Sequence, residues 1–308
     1  MQKKRIYKRY HDHSRFTLYN GDYARLLETI PDNSVDLIVT SPPYCIGKPY
    51  DETCDVNDFK KQQADVLDAV YRKLSDSGSL CWQVGYHVMD RFVTPLDFAV
   101  HEVFSSYDLT LRNRIIWSFG HGPHCKKRFS GRHEIVMWYT KGTDYFFDLD
   151  KVRVPQKYPG KRAYKGAKRG QFSGNPRGKN PSDVWEFPNV KSNHVEKTAH
   201  PCQFPVALPL TLIRALCPSE GLVLDPFMGS GSTAVASWLG STRFVGAELK
   251  EEYYDIAYNR LSRAIKGNER YRSPEKPVEQ PEPSQTVAAR PQHFSCDYEE
   301  LLAESKNV

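Results

Sequence analysis

The feature that most constrains the fold is a short apolar run followed directly by a glycine-rich turn. Residues 222–225 read Leu-Val-Leu-Asp, which is typical of a buried strand, and two glycines precede the apolar helical segment that follows. Gly229 and Gly231 allow a ligand to approach the backbone where that helix begins. Ser232 or Thr233 is expected to cap the helix. This unit predicts an α/β protein with a ligand crevice at the carboxyl end of the strand.

A second apolar run, residues 35–39, leads into the sequence Thr-Ser-Pro-Pro-Tyr. Pro42 and Pro43 lack an amide N–H and fix φ at about −65°, so this loop cannot continue a helix or a sheet ladder. It presents the Ser41 hydroxyl, backbone carbonyls and the Tyr44 ring, which can bind an amino group and stack on a flat ring. These groups favour a nucleobase site. For this stretch alone, a proline turn with a tyrosine in the core is the alternative.

Elsewhere the chain alternates between predicted strands and predicted helices. Helical spacing of apolar residues predicts helices over residues 57–74 and 92–106, and apolar runs predict strands over 79–84, 112–118 and 133–140. Such alternation implies a mainly parallel sheet that is covered by helices on both faces.

A further predicted strand, residues 243–248, follows the glycine-rich unit and ends in a carboxylate. An acid in that place can accept hydrogen bonds from the hydroxyls of a ribose. We therefore expect Glu248 to lie in the same crevice as the glycine-rich turn.

Residues 40–44 and 225–233 together resemble two motifs of the S-adenosylmethionine-dependent DNA amino-methyltransferases, which methylate N4 of cytosine or N6 of adenine. The first segment matches the catalytic motif of that family, and the second matches its cofactor motif. The catalytic motif comes first, which is the permuted order of the family's β group. The resemblance covers residues 15–265. It implies the S-adenosylmethionine-dependent methyltransferase fold, with a mainly parallel seven-stranded sheet, and S-adenosyl-L-methionine as the cofactor.

The resemblance also implies the site. Catalytic roles are expected for Ser41, Pro42, Pro43 and Tyr44. Cofactor contacts are expected from Asp22, Thr40, Gln203, Phe204, Asp225, Pro226, Phe227, Gly229, Ser230, Gly231, Ser232, Thr233 and Glu248. Asp22 is assigned to the adenine amino group of the cofactor, and it can also cap the helix that follows it.

Two cysteine-containing stretches invite other interpretations. Cys202 lies in a Pro-Cys-Gln sequence that the 5-cytosine methyltransferases use for a nucleophile. Here it precedes the cofactor motif, and we expect it to be a packing residue. His121, His124 and Cys125 resemble a metal cluster, but no fourth ligand lies nearby in the sequence, and we expect no metal.

The expected reaction is methyl transfer to an exocyclic amino nitrogen of a base that has been flipped out of duplex DNA. Ser41 and the carbonyl of Pro42 would accept the two N–H groups and orient the nitrogen lone pair. In the resembled family serine at this position is typical of N4-cytosine enzymes, and N6-adenine methylation is the main alternative. More distant alternatives are an RNA or protein-amide methyltransferase and an inactive DNA-binding protein.

Positive charge is concentrated in one part of the chain. Residues 151–200 hold twelve Lys and Arg against three Asp and Glu, a net of +9, whereas all 308 residues carry +6. A segment of this length without periodicity is uncommon in a compact domain unless it is functional. We expect residues 151–199 to contact DNA and recognise the target, with a solvated basic loop as the alternative. The side chains expected to bind DNA are Lys126, Lys127, Arg128, Lys161, Arg162, Lys165, Lys168 and Arg169.

The expected organisation is a basic arm (1–14), a catalytic half (15–150), the target-recognition segment (151–199), a cofactor-binding half (200–266) and a disordered tail (267–308). The loop at residues 45–51 is expected to act as a lid. Seven cysteines without a Cys-x-x-Cys pair indicate a reduced, cytoplasmic protein. No apolar run is long enough to span a bilayer. The expected partner is double-stranded DNA, with a cognate restriction endonuclease as a further candidate.

Overall fold

The protein is built on one large sheet with helices packed against both faces. A computed structural model describes residues 5–44, 55–89 and 92–278. The strands are β1 (Ile6–Tyr7), β2 (Phe16–Asn20), β3 (Val35–Thr40), β4 (Leu74–Val84), β5 (Tyr86–Met89), β6 (Phe92–Pro95), β7 (Thr110–Ser118), β8 (His133–Thr140), β9 (Val184–Glu186), β10 (Leu222–Asp225) and β11 (Arg243–Glu248). The helices are α1 (Tyr23–Leu27), α2 (Val56–Tyr71), α3 (Leu96–Phe104), α4 (Ala207–Leu216), α5 (Ser232–Leu239) and α6 (Glu251–Ile265).

In the described residues, nine strands form the large sheet in the order β1-β2-β11-β10-β3-β4-β8-β7-β9. Neighbouring strands are parallel except where β8 pairs with β4 and with β7. The expectation of a mainly parallel α/β sheet is confirmed, but the expected number of seven strands is wrong. The two-residue β1 and the three-residue β9 lie at the two edges of the sheet. Strands this short depend on pairing with distant residues and leave no apolar pattern in the sequence.

The core lies on both faces of this sheet. Leu37 and Val39 belong to a buried cluster with side chains of α4, α5 and α6, whereas Ile38 belongs to a second cluster with side chains of α1, α2 and α3. The division follows from strand geometry, because successive side chains of a strand point to opposite faces. Strands buried on both sides explain the continuous apolar runs in the sequence.

Strand register places the ends of three neighbouring strands together. Leu224 of β10 is opposite Ile38 of β3, and Asp225 is opposite Gly246 of β11. Because these pairs are parallel, the loops after β3, β10 and β11 leave the sheet at the same edge. The antiparallel β8 begins at that edge as well, since Ile135 is opposite Val84 near the end of β4.

Strands β5 and β6 pair antiparallel in a separate two-stranded sheet. The helix expected over residues 92–106 is therefore shorter, because its first four residues are strand β6. The β-branched residues Val93 and Thr94 favour this extended conformation.

The basic segment is mostly irregular but contains local pairing. Val154 and Lys179 form an isolated antiparallel bridge, as do Arg162 and Phe172. The Arg162 guanidinium lies 4.2 Å from the centre of the Phe172 ring. Near its end the segment supplies β9, which pairs parallel with β7.

The first residues of the expected tail, 267–276, pack with the rest of the protein. Residues up to Lys276 belong to one compact unit with the sheet, and Glu269 forms an ion pair with Arg260 at 2.9 Å. Residues 279–308, the first four residues of the basic arm and the expected lid at 45–51 lie outside the described residues. Of the described helices, none is both long and apolar enough to cross a membrane.

Candidate active site

A cleft of about 550 Å³ lies at the shared edge where the loops after β3, β10 and β11 leave the sheet. Its walls include the loop at residues 41–44, the turn at residues 226–230 and the end of β11 at Glu248. The two motifs, which are far apart in the sequence, therefore lie in one cleft. The expected catalytic and cofactor residues that line it are Asp22, Ser41, Pro42, Pro43, Tyr44, Gln203, Phe204, Pro226, Phe227, Gly229, Ser230, Ser232 and Glu248.

Asp225 lies behind the cleft and connects its parts. Asp225 is only 1% exposed. Its two carboxylate oxygens accept hydrogen bonds from Thr40 Oγ1 at 2.9 Å and from Thr233 Oγ1 at 2.7 Å. The amide of Phe227 also donates to it, at 3.2 Å. Burial raises the pKa of Asp225 to about 6. This carboxylate joins the end of β3, the turn after β10 and the first turn of α5.

The start of α5 differs from the expected cap. The N-cap residue is Gly231, with φ of 77° and no side-chain capping bond. Thr233 bonds Asp225 instead, and Ser232 donates to the backbone carbonyl of Phe204 at 2.9 Å. A β-carbon at Gly231 would lie 2.8 Å from the Cα of Ala257 in α6, so glycine is required there both for its positive φ and for space.

Glu248 holds the glycine-rich turn in place. Its Oε2 accepts a hydrogen bond from the amide of Gly229 at 3.0 Å, and its Oε1 accepts one from the amide of Lys250 at 2.9 Å. Burial raises the pKa of Glu248. A carboxylate offers about four acceptor positions, so Glu248 can accept further hydrogen bonds from a ligand in the cleft.

Aromatic rings flank the outer part of the same wall. The rings of Tyr23 and Phe227 are 5.0 Å apart, and both line the cleft. Asp22, which precedes α1, accepts a hydrogen bond from the amide of Ala24 at 2.7 Å, so the expected capping role is confirmed. Its exposed carboxylate also faces the cleft.

A chain of polar side chains runs along the opposite wall. The Ser41 Oγ lies 3.0 Å from the Tyr44 hydroxyl, and that hydroxyl donates to Gln83 Oε1 at 2.8 Å. Gln83 Nε2 in turn donates to Glu134 Oε2 at 2.5 Å. Burial raises the pKa of Glu134 to about 6. Gln83 and Glu134 were not among the expected site residues.

The signal for both was weak but present in the sequence. Gln83 is a polar residue near the end of an apolar strand, and Glu134 precedes another apolar run. Their contact depends on the antiparallel pairing of β4 with β8, where Gln83 is opposite Val136. Sequence patterns do not reveal that register.

His200 and Cys202 stand between the basic segment and α4. The His200 ring makes an edge contact with Tyr253 at 4.4 Å, and burial lowers the pKa of His200 to about 4, so the ring is neutral at physiological pH. Cys202 is exposed and lines the cleft, so the expectation that it is a packing residue is wrong. The Gln203 amide donates to Glu196 O at 2.9 Å, which holds this loop to the segment before it.

A buried arginine supports the glycine-rich turn from behind. Arg260 of α6 is 1% exposed and donates to the carbonyl of Ser230 and the hydroxyl of Ser232, each at 3.0 Å. It also pairs with two buried carboxylates, Glu196 at 3.4 Å and Glu269 at 2.9 Å. No sequence pattern indicates this network, because its members come from four separate segments.

The residues expected to bind DNA lie outside the cleft lining. All eight are exposed on two loops, residues 119–132 and 157–174. The side-chain amide of Asn189, near the end of the basic segment, donates to the carbonyl of His121 in the first of these loops at 2.9 Å. Within the described part of the chain, no group of three or more His, Cys, Asp and Glu side chains could hold a metal ion.

Comparison with known proteins identifies relatives over most of the chain. The chain is 46% identical over 246 residues to the Type II methyltransferase M.BglII of Bacillus subtilis, covering 80% of this chain and 68% of the relative. It is 38% identical to M.ScaI of Streptomyces caespitosus, covering 84% and 85% of the two chains. It is 31% identical to the DNA adenine methyltransferase YhdJ of Escherichia coli, covering 80% and 82%.

Solved structures agree in fold. The cytosine-N4-specific PvuII DNA methyltransferase superposes with a TM-score of 0.63 at 21% identity, covering 82% of this chain and 93% of that one. A Thermus thermophilus protein described as a DNA modification methylase, solved in complex with S-adenosyl-L-methionine, superposes with a TM-score of 0.59 at 25% identity, covering 81% and 94%.

A family model described as DNA methylase, for N6- and N4-methyltransferases, matches residues 35–259. That range contains both motifs, the basic segment between them and most of α6. The chain therefore belongs to the DNA methylase family and is a DNA methyltransferase of the cytosine-N4 or adenine-N6 type.

Proposed function

We propose that this protein transfers a methyl group from S-adenosyl-L-methionine to N4 of a cytosine that is flipped out of duplex DNA. The observation that carries the proposal is the cleft that joins the loop at residues 41–44 to the glycine-rich turn after β10. Methyl donor and acceptor must lie side by side for transfer, and one cleft with two chemically different walls meets that requirement.

The glycine-rich wall fits the cofactor. Gly229 has φ of 50°, and a β-carbon there would lie 3.0 Å from the His200 ring. Because Gly229 has no side chain and lines the cleft, a ligand can approach the backbone of the turn. Glu248 has acceptor capacity for the ribose hydroxyls. Asp22 can accept from the adenine amino group, beside the rings of Tyr23 and Phe227. The Thermus relative with bound S-adenosyl-L-methionine supports this assignment.

Four buried residues hold the turn from behind and do not line the cleft: Thr40, Asp225, Gly231 and Thr233. Their role in cofactor binding is therefore indirect: they fix the geometry of the backbone that the cofactor meets.

The opposite wall fits the target base. Ser41 Oγ and the carbonyl of Pro42 accept hydrogen bonds from the two N–H groups of the amino nitrogen, which turns its lone pair out of the ring plane and towards the donor. When bound, S-adenosyl-L-methionine supplies the methyl group and leaves as the neutral sulfide S-adenosylhomocysteine. The amino nitrogen then loses one proton to water. Tyr44 stacks on the base and offsets part of the unstacking cost, at about 1–3 kcal/mol.

Ser41 supports cytosine as the target, by the resemblance to N4-cytosine enzymes. The adenine methyltransferase of E. coli, 31% identical to this chain, supports N6 of adenine as the second candidate. Mass spectrometry of nucleosides from DNA methylated by the purified protein separates the two. N4-methylcytosine is the expected product. N6-methyladenine alone would overturn the choice of base, and no methylated base would overturn the activity.

Target recognition is assigned to residues 151–199. The exposed lysines and arginines of this segment and of the loop at 119–132 can contact phosphates and position the duplex. Phe129 of the loop at 119–132 is fully exposed. The Type II names of two relatives support a restriction endonuclease with the same recognition sequence as a partner. Sequencing methylated genomic DNA gives that recognition sequence, and an endonuclease that still cuts the methylated site would not be the partner.

A further inference from the structure

The hydrogen bonds that connect the polar side chains on the proposed base-binding wall all run in one direction from donor to acceptor. The four side chains, Ser41, Tyr44, Gln83 and Glu134, come from the loop after β3, from β4 and from β8, and each touches the next. In each of these hydrogen bonds one partner is the donor and the other is the acceptor. The donor and acceptor roles of all four side chains can therefore be derived from the carboxylate at the end, which can only accept.

Glu134 fixes the orientation of the Gln83 amide. An ionised carboxylate accepts hydrogen bonds and donates none, so the Gln83 group that faces it at 2.5 Å must be the NH₂. Although burial raises the pKa of Glu134 to about 6, the group is still mostly ionised at pH 7.5. The amide oxygen of Gln83 must then point the other way, towards Tyr44.

Gln83 in turn fixes the Tyr44 hydroxyl. That hydroxyl lies 2.8 Å from the side-chain oxygen of Gln83 and 3.4 Å from its backbone carbonyl. Both neighbours are acceptors, so the single phenolic hydrogen points towards Gln83. The Tyr44 oxygen is left as an acceptor for Ser41, whose Oγ is 3.0 Å away.

We propose that Glu134 and Gln83 are positioning residues that make Ser41 an acceptor for the amino group of the target base. Because Ser41 donates its only hydrogen to Tyr44, both lone pairs of its oxygen remain available to the base. The opposite direction would point the Ser41 hydrogen into the cleft, where it would repel an N–H group. The inference rests on the proposed function, since it concerns the acceptor that methyl transfer requires.

Neutron diffraction from crystals of the deuterated full-length protein tests the direction without any reaction. The expected deuterons lie on Ser41 pointing to Tyr44, on Tyr44 pointing to Gln83 Oε1, and on Gln83 Nε2 pointing to Glu134. A deuteron between Ser41 and Tyr44 that belongs to Tyr44 would overturn the inference. This result is independent of whether the protein methylates cytosine, adenine or neither.

Kinetics test the consequence through Glu134→Gln, which keeps the shape of the side chain but removes the obligatory acceptor. In this variant either the oxygen or the NH₂ group of the Gln83 amide can face Tyr44, so Ser41 is no longer held as the donor to Tyr44. We expect kcat to fall about tenfold, the size of one neutral hydrogen bond. The KM for S-adenosyl-L-methionine should stay within about twofold, because the glycine-rich wall is unchanged.

A double-mutant cycle separates positioning from a general structural effect. In a Tyr44→Phe background there is no phenolic hydrogen to direct, so Glu134→Gln should lower kcat by less than about twofold further. An equal loss in both backgrounds would mean that Glu134 merely supports the fold, and the inference would fail. Unchanged kcat in Glu134→Gln alone would overturn it as well. Glu102→Gln, at an exposed position of α3 paired with Lys60, is the matched control and should behave as wild type.

Discussion

Thr40 at the end of β3 donates its hydroxyl to the carboxylate of Asp225 at the end of β10, over 2.9 Å. Ser41 follows Thr40 in the chain, and the glycine-rich turn follows Asp225. This one buried bond therefore fixes the distance between the wall that is proposed to bind the base and the wall that is proposed to bind the cofactor. A shift in either strand end would move a methyl donor relative to its acceptor.

Asp225→Ala is expected to abolish detectable binding of S-adenosyl-L-methionine in calorimetry. Removing the carboxylate leaves the buried hydroxyls of Thr40 and Thr233 without their acceptor, and the turn loses the bond to the Phe227 amide. Asp255→Ala, at an exposed position of α6, is the matched control and should bind normally. Wild-type affinity in Asp225→Ala would show that the turn keeps its shape unaided.

Glu248→Gln is expected to weaken S-adenosyl-L-methionine binding by about 1.5–3 kcal/mol, or roughly ten- to a hundredfold in Kd. The change removes the charge that strengthens hydrogen bonds to ribose hydroxyls. Calorimetry measures it directly. An analogue without the two ribose hydroxyls should show a smaller difference between the two proteins, and an equally large difference with that analogue would contradict the ribose contact.

Neutralising Lys161, Arg162, Lys165, Lys168 and Arg169 together is expected to weaken DNA binding and to flatten its salt dependence. If all five contact phosphates, the slope of log K against log salt falls by about 4.5, and fewer contacts give a proportionally smaller change. Arg162→Gln suits this test, because Arg162 also donates to the Gly170 carbonyl at 2.6 Å and an amide can keep such a bond. Fluorescence anisotropy at several salt concentrations gives the slope.

Neutralising Lys60 and Lys61 of α2 serves as the control for charge alone. Cofactor affinity should be unchanged in both variants, since none of these residues lines the cleft. An unaltered salt slope in the five-residue variant would identify the segment as a solvated loop.

Tyr44→Phe and Tyr44→Ala are expected to differ in their loss of methylation. Phenylalanine keeps the stacking face but removes the hydroxyl that accepts from Ser41, which should lower kcat about tenfold. Alanine also removes stacking worth about 1–3 kcal/mol, so its loss should be roughly tenfold larger again. Single-turnover methylation of a duplex oligonucleotide gives both rates. Normal turnover in Tyr44→Ala would remove Tyr44 from the site.

The stability of the protein should fall as pH rises from about 4 to about 6, through the titration of Asp225. Burial raises the pKa of this carboxyl from 3.8 to about 6, so the folded state holds its proton more tightly than the unfolded state does. Stability that is present below pH 4 is lost as the pH passes 6, by about 3 kcal/mol for a shift of two units. Urea unfolding at several pH values should show a smaller slope in Asp225→Asn than in the wild type, and the slope that remains comes from the other buried carboxyls with raised pKa, Glu134 and Glu248. The Asp255→Asn control should keep the wild-type slope.

The fold could be predicted where the apolar patterns were long or were followed by proline or glycine. Strands β3 and β10 were predicted correctly because each is a buried run that ends at proline or glycine. Strand β6 before α3 and the edge strand β9 could not be predicted, because a few residues in extended conformation are stabilised only by partners elsewhere in the chain. The number of strands was wrong for the same reason.

The site divides in a similar way. Motif residues such as Ser41 and Glu248 could be proposed because neighbours in the sequence identify them. Gln83, Glu134 and Arg260 could not, since each acts through a contact with a residue at least 28 positions away. Their importance depends on strand register and helix packing, which no local pattern records.

The antiparallel bridge between Val154 and Lys179 closes the base of the basic segment, so that its intervening residues leave and re-enter the protein at nearly the same place. A loop that is closed at its stem can change in length at little entropic cost, because each doubling adds only about 0.6 kcal/mol. Evolution can therefore replace residues 155–178 without disturbing the central strands. If residues 155–178 read the target, as proposed, an enzyme lineage with this architecture can acquire new target sequences while its chemistry stays the same.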